Sequence, residues 1–145
     1  MALIVQKYGG TSVADPDRMR AVAENVAFTK RHGNDVIVVP SAMGKSTDNL
    51  IKLANDVSKT QPGRELDMLI TTGERISMAL LCMALADLGI EAKSFTGSQA
   101  GIITDTNHLK AKLLEVKGDR VRQALGEGKV CVVAGFQGIS TDKEI

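Results

Sequence analysis

The sequence predicts an α/β domain built around a mainly parallel sheet. Three short runs, residues 2–6, 35–39 and 130–134, are apolar or β-branched without alternation, the pattern of strands covered on both faces. An amphipathic helix separates the first two, and a strand–helix–strand unit within about forty residues pairs its strands in parallel. Each run leads into glycine or proline, the residues that turn a chain out of a strand.

Taken in order, residues 2–6 form the first strand and Lys7-Tyr8-Gly9-Gly10 turns out of it. Asp15 and Pro16 supply an N-cap and a first-turn proline. Met19, Val22, Ala23 and Val26 then recur at helical spacing, and Gly33 closes that helix behind Lys30-Arg31-His32. The strand at residues 35–39 stops at Pro40. After a loop over residues 41–46, Leu50, Ile51, Ala54 and Val57 mark another amphipathic helix, and Pro62-Gly63 breaks the chain. Leu66, Leu69, Ile70, Ile76, Leu80, Ala84 and Leu88 form a long helical stripe; Gly73 makes it either two abutting helices or one bent helix, and Gly89 ends it. Residues 91–96 read as a strand, 97–107 as a loop with a short extended piece, and 119–127 as a short helix, while 110–116 carry the weakest pattern. The strand at residues 130–134 leads into Gly135-Phe136-Gln137-Gly138. The chain then stops at Ile145 with no helix to cover that last buried strand, so a truncated domain is expected.

A length of 145 residues suits one domain. Charged residues at 24% and apolar ones at 43% are ordinary for a folded chain. Eighteen Lys and Arg against 17 Asp and Glu leave a net charge of +1, no basis for nucleic-acid or membrane binding. Aromatics at 3% with no Trp leave no platform for stacking single-stranded bases. The longest apolar stretch, residues 78–86, is too short for a membrane span, and Gln6 and Lys7 cut off any export signal at once. Cys82 and Cys131 lie in apolar runs without a CxxC partner, as buried reduced thiols do, and a cytoplasmic location is expected. His32 and His108 are isolated, and no residues have metal-ligand spacing.

Four segments could carry chemistry. Gly44-Lys45-Ser46 imitates the end of a P-loop, but Val39 and Pro40 stand where the motif needs its first glycine and a wide anion nest. Lys7-Tyr8-Gly9-Gly10-Thr11-Ser12 follows the first strand, where open α/β sheets bind ligands. It reads as a lysine and close-approach backbone for a phosphate, or as a solvated lysine before a tight turn. Ser41-Ala42-Met43-Gly44 opens on the same sheet edge. There Thr47 stands at a helix N-terminus suited to a carboxylate, or Ser46 or Thr47 merely caps it. Thr71 and Glu74 fit a capping box, yet Glu74 lies in an apolar stripe where a carboxylate needs a cation, such as a ligand ammonium.

Together with Thr72-Gly73-Glu74-Arg75, Phe95-Thr96-Gly97-Ser98-Gln99-Ala100-Gly101 and Ala134-Gly135-Phe136-Gln137-Gly138, these segments resemble the aspartate kinases of the amino-acid-kinase superfamily over the whole length. The resemblance implies a three-layer α/β/α sandwich with a mainly parallel sheet, a carbamate-kinase-like fold. It implies transfer of the γ-phosphoryl group of ATP, with Mg²⁺, to the β-carboxylate of L-aspartate, the first step toward lysine, threonine and methionine. Lys7, Tyr8, Gly9 and Gly10 match the ATP phosphate-binding positions, Lys7 being the catalytic cation. Ser41, Thr47 and Glu74 match substrate-binding positions, Glu74 receiving the α-ammonium. On this reading residues 1–145 are the N-terminal part of the catalytic domain. The ATP-binding half and the regulatory ACT domains are absent, and the full-length protein is a homo-oligomer. Pro40 departs from the small or β-branched residue expected there and could shift the Ser41 loop. Carbamate, glutamate and uridylate kinases, or an inactive nucleotide-binding module, are the alternatives.

Overall fold

A computed structural model describes residues 1–145. Four strands, β1 (Leu3–Tyr8), β2 (Asp35–Pro40), β3 (Ala92–Phe95) and, later in the chain, β6 (Val130–Val133), form an all-parallel sheet in the order β1-β2-β6-β3. Between them run α1 (Pro16–Arg31), α2 (Ser46–Val57), α3 (Gly63–Asp87), the short α4 (Gly97–Ala100) and α5 (Asp119–Gly126). A smaller sheet, β5-β4-β7, joins β4 (Ile102–Thr104) to β5 (Leu113–Val116) antiparallel and to β7 (Ile139–Ser140) in parallel.

The α1 boundaries follow from local chemistry. Asp15 accepts a hydrogen bond from the Arg18 backbone N–H at 2.8 Å, Pro16 needs no donor in the first turn, and Gly33 takes φ +82° beyond the end. Met19, Val22, Ala23 and Val26 pack with Val36 and Val38 of β2, Val130 and Val132 of β6, and Met78, Leu81 and Leu85 of α3. On the opposite face Cys131 and Val133 join Phe95, Ala100, Val121 and Ala124. Alternate residues of β6 thus enter two cores, which is why its sequence reads as one unbroken apolar run.

The outer strand is different. Leu3 and Val5 are 59% and 61% exposed, so β1 is covered on one face only, because no helix of this chain lies over its other side. Nor does α2 contribute a buried residue; it packs chiefly against α3, leaving Leu53 and Val57 in solvent.

Gly73 neither breaks nor divides α3, which runs unbroken for 25 residues. Its missing side chain serves packing: a Cβ there would stand 3.0 Å from the Ala42 Cβ, so the loop after β2 lies directly on the helix. By length and composition α3 could cross a membrane, but Ser77, Met78, Leu81 and Leu85 bury one side of it in the domain core.

Pro40 is the last residue of β2. Ser41 continues the ladder, its N–H donating to the Tyr8 carbonyl at 2.9 Å, so the loop stays attached to β1. The nitrogen of Pro40 faces the β6 side, where pairing has already ended at Val38, and no ladder bond is lost.

The two cysteines are free thiols, and burial pushes each up to about 11, far from reactive thiolates.

The helix α4 starts with a capping box between Thr96 and Gln99, and its first residue lies against the turn after β6. A Cβ on Gly97 would fall 1.9 Å from the Gln137 carbonyl oxygen. Gly97→Ala is therefore expected to destabilise the chain by about 2–3 kcal/mol or more, while Gly126→Ala, in open space at the end of α5, stabilises it by up to ~1 kcal/mol. Thermal or urea denaturation of the two variants checks the contrast.

Candidate active site

With every strand of the larger sheet running the same way, the turns leaving β1, β2 and β6 gather at one edge. A cavity of about 810 Å³ opens there, and Lys7, Ser41, Thr47 and Glu74 all line it. The smaller sheet and the connection from β4 to β5 form its far wall, through Ile102, Thr104 and residues 105–111.

Lys7 lies near the end of β1 and is exposed; its ammonium forms no ion pair within the chain. Next to it, Tyr8 turns the other way. Its hydroxyl donates to Gln6 at 3.2 Å and accepts from Asn25 at 2.7 Å, so toward the cavity side Tyr8 offers backbone alone. Gly9 and Gly10 enter a 3₁₀ turn, Gly10–Val13, and the Gly10 carbonyl accepts the Gly44 N–H at 2.9 Å. That bond ties the lysine turn to the Ser41 loop; neither glycine lines the cavity.

The N-terminus of α2 is uncapped. Lys45 holds the N-cap position without a side-chain bond, and the Ser46 hydroxyl donates back to the Met43 carbonyl. Thr47 is left in the first turn with no hydrogen-bond partner, facing the cavity beside free backbone N–H groups. Neither hydroxyl caps the helix. Gly44 takes φ +51° in an ordinary turn, and Lys45 is not part of the lining.

The capping box expected at Thr71 and Glu74 does not exist, since α3 begins at Gly63 and both residues lie in its interior. The Thr71 hydroxyl donates to the Met68 carbonyl at 3.0 Å instead. Glu74 is only 9% exposed. The Gln137 amide donates to its Oε2 at 3.1 Å, and the Phe136 backbone supplies a second hydrogen bond. No cationic side chain reaches it. Burial raises its carboxyl above the ordinary glutamate range, and the two hydrogen bonds pull the other way. A carboxylate so placed favours a cation supplied by a ligand.

In the sequence Gln137 stands within a glycine turn with no evident task, and His108 reads as isolated. His108 Nδ1 in fact lies 2.8 Å from Asp67 Oδ2 of α3, and the same oxygen accepts the Leu109 N–H at 3.2 Å. This clasp holds the β4–β5 connection across the cavity. Within that connection Asp105 accepts the Lys112 and Asn107 N–H groups, which keep its carboxyl below the usual range. Only an Asp and a His 41 residues apart could have signalled the pair. No group of three or more His, Cys, Asp or Glu converges to hold a metal ion.

Comparison with known proteins agrees with this architecture. The model of the Amino acid kinase family matches residues 2–145. An aspartokinase from Mycolicibacterium smegmatis is 58% identical over 144 residues, covering 99% of this chain and 34% of that protein. The crystal structure of aspartate kinase from Synechocystis superposes with a TM-score of 0.80 at 47% identity, over 94% of this chain and 22% of that one. E. coli aspartokinase III, at 20% identity and a TM-score of 0.81, shares the fold over 99% of this chain and 42% of its own. The chain thus spans about a third of the length of the curated relatives it matches. A parallel sheet with a shared cleft at its carboxyl edge, and a family match from residue 2 to the last residue, lead to one conclusion: the chain belongs to the amino acid kinase family.

Proposed function

We propose that this chain is the N-terminal part of an aspartate kinase, which transfers the γ-phosphoryl group of ATP to the β-carboxylate of L-aspartate and yields 4-phospho-L-aspartate and ADP. The observation that carries the reading is Glu74: a nearly buried carboxylate without a protein cation, in the same cavity as the unpaired ammonium of Lys7. An α-amino acid fits that arrangement. Its ammonium meets Glu74, its α-carboxylate meets Thr47 and the free N–H groups opening α2, and its side-chain carboxylate is left for Lys7 and the phosphoryl donor.

Phosphoryl transfer needs in-line positioning and positive charge on the transferring oxygens more than covalent assistance. Lys7 supplies such a charge from β1, and Ser41 adds a hydroxyl from the neighbouring loop. The attacking carboxylate is already ionised near neutral pH, so no general base is required. Mg²⁺ enters as part of the MgATP substrate and offsets phosphate charge there. Aspartokinases at high identity, and the aspartate and ADP bound in the E. coli aspartokinase III structure, support the substrate pair. On the same reading the remaining ATP contacts and regulatory domains belong to chain beyond these residues, and the whole enzyme is a cytoplasmic homo-oligomer of amino-acid biosynthesis.

The test is ADP release by the full-length protein with MgATP and, separately, aspartate, glutamate, carbamate or UMP, with hydroxylamine present to trap the acyl phosphate formed from aspartate. Aspartyl-hydroxamate with aspartate alone is expected. Turnover of another acceptor in its place assigns a different kinase of the family, and no turnover with any acceptor leaves a nucleotide-binding module.

A further inference from the structure

The turn after β6 has a role that the motif match does not assign. We infer that Gln137 is a positioning residue for substrate binding, holding the Glu74 carboxylate ionised and aimed into the cavity so that it can take the ammonium group of the amino-acid acceptor. The inference deepens the activity proposed above and rests on it for the identity of that ammonium.

The geometry is specific. Gln137 is 9% exposed, and its amide nitrogen donates both to Glu74 Oε2 at 3.1 Å and to the Thr71 carbonyl at 3.3 Å. Thr71 lies just under one helical turn before Glu74, so the amide is anchored to the backbone of the element that carries its target. The turn itself is closely packed on both sides. Its Gln137 carbonyl abuts Gly97 with no room for a side chain between them, and Gly138 lies against Thr104 with the same lack of space. Gln137 therefore reaches α3 from a clamped backbone, across 63 residues of sequence. A flexible polar contact would not need such a mounting.

The electrostatics favour this donor, beside the Phe136 backbone. Burial alone would favour the neutral acid, which cannot bind an ammonium as an ion pair, whereas an N–H donated to the carboxylate favours the charged form. Other charged groups around the cavity are Lys7 from β1, Asp67 from α3, and Asp105, His108 and Lys110 from the β4–β5 connection. None of them is hydrogen-bonded to Glu74, so the amide of Gln137 is its only side-chain partner.

The experiment uses the full-length protein with wild type, Gln137→Met, Glu74→Gln and the double variant. Methionine keeps the length and removes the donor. For Gln137→Met the KM for aspartate is expected to rise about tenfold or more, with the KM for ATP unchanged, and the acidic limb of kcat/KM for aspartate moves to higher pH. Ligand-free melts provide a readout that needs no turnover. The destabilisation by Gln137→Met should grow as pH rises through the range where Glu74 ionises, and that growth should vanish in the Glu74→Gln background. A pH-independent loss, the same in both backgrounds and with both KM values moved alike, reduces Gln137 to a packing residue and overturns the inference. A wild-type enzyme inert toward aspartate, with the pH-dependent coupling intact, overturns the activity assignment instead and leaves the Gln137–Glu74 pair standing.

Discussion

Glu74→Gln in the full-length protein is expected to lower kcat/KM for aspartate by about a hundredfold or more, from the 3–5 kcal/mol typical of breaking a buried ion pair on one side. The same substitution should raise the melting temperature of the ligand-free protein at neutral pH. The sign follows from proton linkage. Burial raises the Glu74 carboxyl in the folded state above its ordinary value of 4.5, so between the two values the folded chain binds more protons than the unfolded one. Stability therefore falls as pH rises from the ordinary glutamate value through the folded one, and the full cost is present above it. Glutamine carries no charge and escapes that cost, while its Oε1 can still accept from Gln137. Melts of the two proteins should coincide below the ordinary glutamate range and separate above it. A variant that loses stability at pH 7 while keeping aspartate turnover would mean that Glu74 is part of the scaffold.

Lys7→Ala produces the opposite balance. The side chain is exposed and unpaired, so its removal should change stability by less than about 0.5 kcal/mol. Turnover should nevertheless fall by about a hundred- to a thousandfold, the usual loss when one preorganised charge or donor is taken from developing oxyanions. The loss belongs in kcat at saturating aspartate, since Lys7 is assigned to the phosphoryl group and not to the amino-acid ammonium. Steady-state kinetics together with melts separate the two effects. Full turnover in a folded Lys7→Ala protein would remove the lysine from the chemistry.

What could be read from the residues, and what could not, divides along a physical line. Local signals were sufficient for α1, because Asp15, Pro16 and Gly33 each act within a turn or two of where they stand. The β6 run was equally legible, since alternate residues fill two cores. Gly73 left one helix or two open, because its purpose is contact with Ala42 and that neighbour is remote in sequence. Burial of β1 was overestimated for a related reason: apolar residues reveal a face to be covered and not whether this stretch of chain covers it. The smaller sheet escaped notice because β4 and β7 are short and pair only through distant registers.

The site followed the same division. Lys7, Ser41 and Thr47 were legible as residues at or just past strand ends of one sheet edge or at a helix start, positions that topology brings together. Glu74 was ambiguous until the start of α3 was known, since a capping box and a buried charge share the same local spelling. Gln137 and the Asp67–His108 clasp had no local signature, because each depends on a partner brought near only by the fold.

The most direct measurement is a crystal structure of the full-length protein with aspartate and a non-hydrolysable ATP analogue. The account predicts the aspartate ammonium hydrogen-bonded to Glu74, the α-carboxylate at the opening turn of α2, and Lys7 between the side-chain carboxylate and the γ-phosphate. Aspartate bound away from Glu74, or Lys7 directed at neither ligand, would contradict it.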